Sequence, residues 1–115
     1  MHELSIAMSI VEIAQEEATR CGALEVIAVH LKLGALSGVM EDALRSSYEM
    51  AAYDTPLKNS ELLVEQVPVK VYCATCCEEQ SLPSIQDLAC PQCGGPTPQV
   101  LSGREIEVFA LEITQ

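Results

Sequence analysis

The chain has 115 residues, of which 49% are apolar and 20% charged, a balance typical of one compact domain and not of a disordered segment. Seventeen acidic residues against six basic ones give a formal net charge of -11, which would repel a phosphate backbone and disfavours nucleic acid as a partner. The sequence has no membrane-spanning apolar run and no signal-peptide pattern at its start, so we expect a cytoplasmic protein.

The first predicted element is an amphipathic helix that begins near Leu4 and ends at the sequence RCGA. Apolar residues recur there at helical spacing, and acidic residues occupy the opposite side. The predicted buried stripe comprises Leu4, Met8, Val11, Ala14 and Ala18, widened by Ile6, Ile10 and Ile13. Gly22 is expected to end the helix in the left-handed conformation.

The second predicted element is a half-buried strand from Glu25 to Leu33, because the apolar period changes there from helical spacing to alternation. Its buried face is expected to carry Ile27, Val29, Leu31 and Leu33. The opposite face would carry Ala28, His30 and Lys32.

A second helix is predicted over Val39 to Ala52, followed by a strand over residues 61–72. Pro68 requires an edge position or a bulge in that strand. The last apolar run, REIEVFALEIT, is a strand too short to be stable alone, so it must join the first sheet or pair with a second chain.

These elements predict an α+β fold, in which a small three-stranded sheet packs against two helices and an inserted four-cysteine, zinc-ribbon-like domain projects from it. The expected boundaries are residues 1–70 with 104–115 for the α/β domain. Residues 71–103 form the insert.

The insert carries two C-x-x-C pairs, Cys73 with Cys76 and Cys90 with Cys93, separated by thirteen residues. Two such pairs supply the four thiolates of a tetrahedral zinc site. The segment between them has too few apolar residues for its own core, so the zinc is predicted to be structural. Four protein thiolates leave no open position for water, which argues against hydrolysis at this metal.

Two other interpretations of the cysteines stay open. Iron in a rubredoxin-like site would make the protein an electron carrier, and two disulfides would form only in an oxidising environment. Of the remaining cysteines, Cys21 is expected to be a small buried residue. Cys77 is expected to be a peripheral thiol, although glycine would suit the position behind the first pair better.

The amino terminus is a candidate site for a square-planar metal ion. A bulky second residue blocks removal of the initiator methionine, so the Met1 amine and the His2 amide can close a five-membered chelate ring, and that amide with the imidazole Nδ1 a six-membered one. Three nitrogens in one plane suit Ni(II) or Cu(II), and Glu3 is a weaker candidate for the fourth position. The alternative is a frayed, solvated terminus. The other histidine, His30, is expected to be solvated or hydrogen-bonded.

The stretches MHELSIAMSIVE, LKLGALSGV and ELLVEQVPVKVYC, the cysteine pairs and VLSGREIEVFALEI together resemble the HypA/HybF family of hydrogenase maturation factors nearly end to end. The resemblance implies a nickel metallochaperone that helps to insert nickel into the large subunit of nickel-iron hydrogenase, with a GTPase partner, HypB. It implies that His2, with Met1 and Glu3 beside it, binds nickel and that the paired cysteines bind structural zinc. It also implies strand-exchanged homodimers.

The alternative function is a zinc-ribbon protein interaction module whose amino terminus binds no nickel. An enzyme has the least support, because no nucleophile with a base, phosphate-binding loop or open metal site stands out in the sequence.

Overall fold

The computed structural model describes residues 2–82, 88–96 and 99–115. Within these residues lie helices α1 (Glu3–Arg20) and α2 (Glu41–Ala52) and the strands β1 (Glu25–Gly34), β2 (Glu61–Val67), β3 (Lys70–Cys73), β4 (Glu78–Ser81), β5 (Gln99–Ser102) and β6 (Ile106–Thr114). The strands form two three-stranded sheets, with the orders β2-β1-β6 and β4-β3-β5. The predicted α+β class is confirmed.

The chain divides into two compact units. The first unit comprises residues 1–31, 39–65 and 107–115, and the second comprises residues 32–38 and 66–106. The first unit contains both helices and a buried apolar cluster from α1, α2 and the sheet. The second unit has a much smaller cluster, whose buried members are Val69, Val71 and Leu82.

Helix α1 buries only part of the predicted stripe. Ile10, Val11, Ala14 and Ala18 are buried as predicted, and Ala7 is buried with them, whereas Leu4, Met8 and Ile13 are 45%, 58% and 51% exposed. The placement of Leu4, Met8 and Ile13 in the buried stripe was therefore wrong. Three of the five buried apolar residues are alanines, and their small side chains allow close packing of the helix.

The end of α1 confirms one prediction and contradicts another. Gly22 has a φ of 68°, and the N–H of Ala23 donates to the carbonyl of Ala18 at 2.9 Å, as in a Schellman motif. Cys21 is exposed, so the expectation of a buried Cys21 was wrong. It is the residue directly after the helix, where the turn points the side chain outward.

Strand β1 is more buried than the half-buried strand with one solvent-exposed face that the sequence predicts. Val29, Leu31 and Leu33 are buried as predicted, but Ala28 on the opposite face is also buried, and Ile27 is 46% exposed. The assignment of Ile27 to the buried face was wrong. Because β1 is the central strand of its sheet, strands flank it on both edges, and this leaves little exposed surface on a small side chain such as that of Ala28.

The single strand predicted over residues 61–72 is two strands in two different sheets. Strand β2 ends at Val67 and β3 begins at Lys70. Pro68 between them has no N–H to donate to a strand ladder, and its carbonyl accepts the hydroxyl of Ser102 at 2.9 Å. Pro68 therefore ends the hydrogen-bond ladder of β2.

Strand β6 joins the first sheet within the same chain. At one end, the N–H of Leu24 donates to Thr114 at 2.8 Å, and at the other the N–H of Gly34 donates to Glu105 at 2.7 Å. These bonds make β1 and β6 antiparallel. Of the two alternatives expected from the sequence, the last strand therefore joins the first sheet of its own chain.

A substitution at the end of β1 tests the packing there. A Cβ at Gly34 would collide with the carbonyl of Gly103, so we expect Gly34→Ala to lower the free energy of unfolding by about 2–3 kcal/mol. Gly22→Ala, where φ is positive but nothing lies near, should cost only about 1 kcal/mol. Urea denaturation measures both, and equal losses would contradict the steric argument.

Candidate functional site

Four cysteine side chains of the second unit converge on one point. All four sulfurs lie within 4.8 Å of one another, with Cys73 and Cys93 3.6 Å apart and Cys76 and Cys90 3.9 Å apart. Sulfurs placed tetrahedrally about 2.3 Å from a zinc ion are about 3.8 Å apart, whereas a disulfide would bring two of them to about 2 Å. All six cysteines are free, and the four clustered ones fit a tetrahedral thiolate-binding ion.

The two C-x-x-C turns have the same local geometry. Behind the first pair, Cys77 has a φ of 56°, and behind the second, Gly94 has a φ of 73°. The backbone N–H of Cys76 donates to the sulfur of Cys73 at 3.4 Å. A left-handed residue behind each pair turns the chain so that both sulfurs of the pair face the same side, which explains why glycine suits this position.

Hydrogen bonds within the cluster give its thiols different pKa values. A hydrogen bond from the backbone N–H of Cys93 lowers the pKa of Cys90 to about 7. Hydrogen bonding with the Cys73 side chain and burial raise the pKa of Cys76 to about 12. Four thiolates at these distances would repel one another, and a cation at their centre removes that penalty. The cluster is therefore suited to bind a metal ion.

Cys77 does not belong to the cluster. Its side chain is exposed, and its thiol donates to the carbonyl of Ala74 at 3.3 Å. Its backbone conformation is one that residues with a Cβ rarely adopt.

We therefore expect Cys77→Gly to raise the free energy of unfolding of the metal-loaded protein by about 0.5–1 kcal/mol, through relief of the left-handed strain. The metal content should not change. Urea denaturation and metal analysis of the same samples measure both quantities, and a loss of bound metal would place Cys77 in the metal site after all.

The amino-terminal candidates lie directly before helix α1. Met1 lies outside the described residues. His2 is exposed and caps the helix, and its carbonyl accepts the N–H of Ile6 at 3.0 Å. The N–H of a capping residue has no acceptor within the helix, so a metal could replace its proton without breaking a helical hydrogen bond.

Glu3 is the first residue of α1, and only 7% of its surface is exposed. Its Oε2 accepts the backbone N–H of Met40 at 3.3 Å, directly before α2. A carboxylate is favourable at the start of a helix. Glu3 thus ties the start of α1 to the start of α2, a contact between distant residues that the sequence pattern could not reveal.

His30 is hydrogen-bonded, as expected from the sequence. Its Nε2 lies 2.7 Å from Oε2 of Glu112, and its ring makes an edge contact with Phe109, with the centroids 5.8 Å apart. Both partners lie on β6. Sequence reasoning missed them, because alternation within two strands does not give the register between them. Among the described residues, only the four paired cysteines form a group of three or more metal-ligating side chains.

Neither helix of the described residues has the length and apolar character needed to cross a membrane.

Comparison with known proteins gives consistent results over the whole chain. Residues 1–113 match a family described as hydrogenase/urease nickel incorporation, metallochaperone, hypA. The chain is 53% identical over 112 residues to the hydrogenase maturation factor HypA of Chloroflexus aggregans, covering 97% of this chain and 98% of that protein. It is 40% identical over 113 residues to the HypA of Geobacter metallireducens, covering 98% and 99%.

Two solved structures share the fold. The solution structure of the Ni metallochaperone HypA from Helicobacter pylori superposes with a TM-score of 0.70 at 21% identity, covering 99% of this chain and 98% of that one. A second solution structure of a HypA protein gives a TM-score of 0.73 at 21% identity, covering 98% and 96%.

Proposed function

The chain belongs to the HypA family of nickel-incorporation metallochaperones for hydrogenase maturation, and we propose that it binds Ni(II) at its amino terminus and passes it on with a GTPase partner. The observation that carries this proposal is the exposed His2 capping α1. A ligand at an exposed helix start is accessible both to the ion and to the recipient protein.

The proposed nickel ligands are the Met1 amine, the His2 amide and the His2 imidazole. These three nitrogens favour a square-planar ion. Glu3 is the weaker candidate for the fourth position, because its buried carboxylate already accepts the N–H of Met40. The negative charge of Glu3 also offsets the unfavourable effect of the helix dipole on a cation.

In the second unit, Cys73, Cys76, Cys90 and Cys93 would hold a structural Zn(II). Zinc has no redox chemistry, and a closed set of four thiolates supplies only cross-linking of the chain. We therefore assign the nickel-binding role to residues 1–70 with 104–115 and the zinc-binding role to residues 71–103, and we propose no enzymatic activity.

The proposed partners are the HypB GTPase and the large subunit of nickel-iron hydrogenase, in the cytoplasm. Membership of the HypA family supports these assignments. A homodimer formed by strand exchange is a further proposal, for which β6 is the natural strand to exchange, since it follows the insert and completes the first sheet.

A comparison of the two histidines tests the nickel site. Titration of the untagged, zinc-loaded protein with Ni(II) should show one square-planar site by absorption spectroscopy. His2→Ala should weaken binding by about a hundredfold or more, which corresponds to about 2.8 kcal/mol. His30→Ala, which removes the histidine bonded to Glu112, should leave the affinity unchanged. Equal affinities of the two variants would refute the assignment.

Nickel binding should also weaken as the pH falls from about 8 to about 5.5, because the amine and the imidazole must be deprotonated to bind. Repeating the same titration across this range measures the effect. An affinity that does not change over this pH range would contradict binding by nitrogen ligands, for which protons compete with the metal.

A further inference from the structure

An apolar groove with a volume of 420 Å³ lies between α1 and β6 in the first unit. The helix wall consists of Ile13, Ala14, Glu17, Ala18 and Cys21. The strand wall consists of residues 108–111 and Ile113. Neither the metal cluster nor the amino terminus contributes to the groove.

The groove runs along the edge of β6. Side chains of successive strand residues point to opposite faces, yet four consecutive residues, 108–111, line the groove, which requires it to follow the strand edge. In the sheet order β2-β1-β6, β6 is an outer strand. It contains no proline, glycine or lysine, although proline and lysine are common protectors of exposed strand edges.

Both walls expose apolar surface. Ile13 on the helix is 51% exposed and Phe109 on the strand is 44% exposed. A further strand paired with β6 would lie beneath the helix wall of the groove and would cover Ile13. This is the arrangement used in recognition by strand addition, in which main-chain hydrogen bonds give affinity and apolar contacts give specificity.

The charge near the groove favours a basic segment of another protein over a second copy of this chain as the occupant. The helix wall includes Glu17, which forms an ion pair with Arg20, and Glu12, Glu16 and Glu107 are exposed on the same two elements. A second copy added at this edge would bring the same exposed carboxylates against it, which disfavours self-association through the groove without bearing on a dimer in which β6 itself is exchanged. A segment with basic side chains would be attracted instead.

We propose that this groove binds an extended segment of another protein, in which apolar residues alternate with lysine or arginine, as an additional strand on β6. The proposal does not depend on nickel binding.

The test uses a thiol that the groove already contains. Cys21 is exposed and lines the helix wall, so the rate of its alkylation reports whether the groove is occupied. The probe is a blocked ten-residue peptide of alternating valine and lysine. The protein is the full, zinc-loaded chain with Cys77→Ser, which removes another exposed thiol. A control peptide with all its backbone nitrogens methylated keeps the charge but cannot donate hydrogen bonds to β6.

The unmethylated peptide should slow the alkylation of Cys21 by about tenfold at saturation, and the methylated one should not. Ile13→Lys should weaken peptide binding by about tenfold. Met50→Lys makes the same charge change at a 69% exposed apolar residue of α2 outside the groove and should change binding by less than about twofold. Circular dichroism confirms that both variants are folded.

Two results would overturn the proposal. Equal binding of both peptides, without protection of Cys21, would mean that only charge attracts them. If sedimentation equilibrium without peptide shows a dimer that Ile13→Lys abolishes, the occupant of the groove is a second copy of this chain.

Discussion

Cys90→Ser is expected to unfold the second unit while the first unit keeps its helices. Hydrogen exchange of the backbone amides should show loss of protection across β3, β4 and β5 and retained protection in α1 and α2. Chelation of zinc from the unsubstituted protein should have the same effect. Metal analysis should find about one zinc per chain before chelation and none in the variant.

The size of this effect follows from the small apolar core of the second unit. Its buried members are Val69, Val71 and Leu82, which is too small a core to hold a domain together by apolar burial. In small modules of this kind the free energy of metal binding is the free energy of folding. Apolar burial alone therefore cannot keep this unit folded, and removal of one buried thiolate ligand, Cys90, removes the dominant stabilising term.

Cys77→Ser is the matched control, because it makes the same substitution directly beside a member of the cluster, Cys76, without removing a sulfur from the cluster. It should retain zinc and full protection. If chelated protein kept slow exchange in β3–β5, the metal would be dispensable for folding. If the protein as purified were coloured and contained iron, the four cysteines would form a rubredoxin-like iron site and not a zinc site.

The four-cysteine cluster could be predicted because its determinants are local. A C-x-x-C pair brings its own two sulfurs together, so spacing alone indicates half of the site. Gly22 was predictable for the same reason, since glycine directly after an apolar helical pattern commonly ends the helix in the left-handed conformation. The connection between β2 and β3 was not predictable from the sequence. The sequence indicates that Pro68 interrupts a strand ladder, but it does not indicate that the next strand belongs to another sheet.

The buried faces were harder to predict than the elements themselves. Helix α1 has apolar residues around more than half of its circumference, so periodicity is compatible with several buried faces, and packing selects the one rich in alanine. Of the apolar residues left outside, Ile13 lines the groove at β6. One of the residues wrongly predicted to be buried thus belongs to the surface that is proposed to bind a partner.

Extending the amino terminus by three residues is expected to abolish tight nickel binding, with a loss of about a hundredfold or more. The extension moves the free amine away from His2, so the amine, the amide and the imidazole no longer form contiguous chelate rings. Zinc content and the circular dichroism spectrum should not change, since the four cysteines lie in the second unit. Nickel titration of the extended, untagged protein measures the effect.

A single glycine placed before Met1 should have the opposite effect on affinity. It makes the histidine the third residue, so that the new amine, two amides and the imidazole supply four contiguous nitrogens in a plane. Both amides precede Glu3, the first helical residue, and neither has an acceptor within the helix. This variant should bind Ni(II) more tightly than the native chain and should give a stronger square-planar absorption.

For the one-residue extension, nickel affinity should then rise while nickel delivery to the recipient protein falls. Each variant can be expressed in cells that lack their own copy of this chaperone, with hydrogenase activity as the measurement. The three-residue extension should fail because it acquires no nickel. The one-residue extension should fail because a closed set of four nitrogens leaves the recipient no position at which to begin ligand exchange. Full activity from the one-residue variant would show that an open fourth position is not required for transfer. Full activity from the three-residue variant would remove the amino terminus from the mechanism.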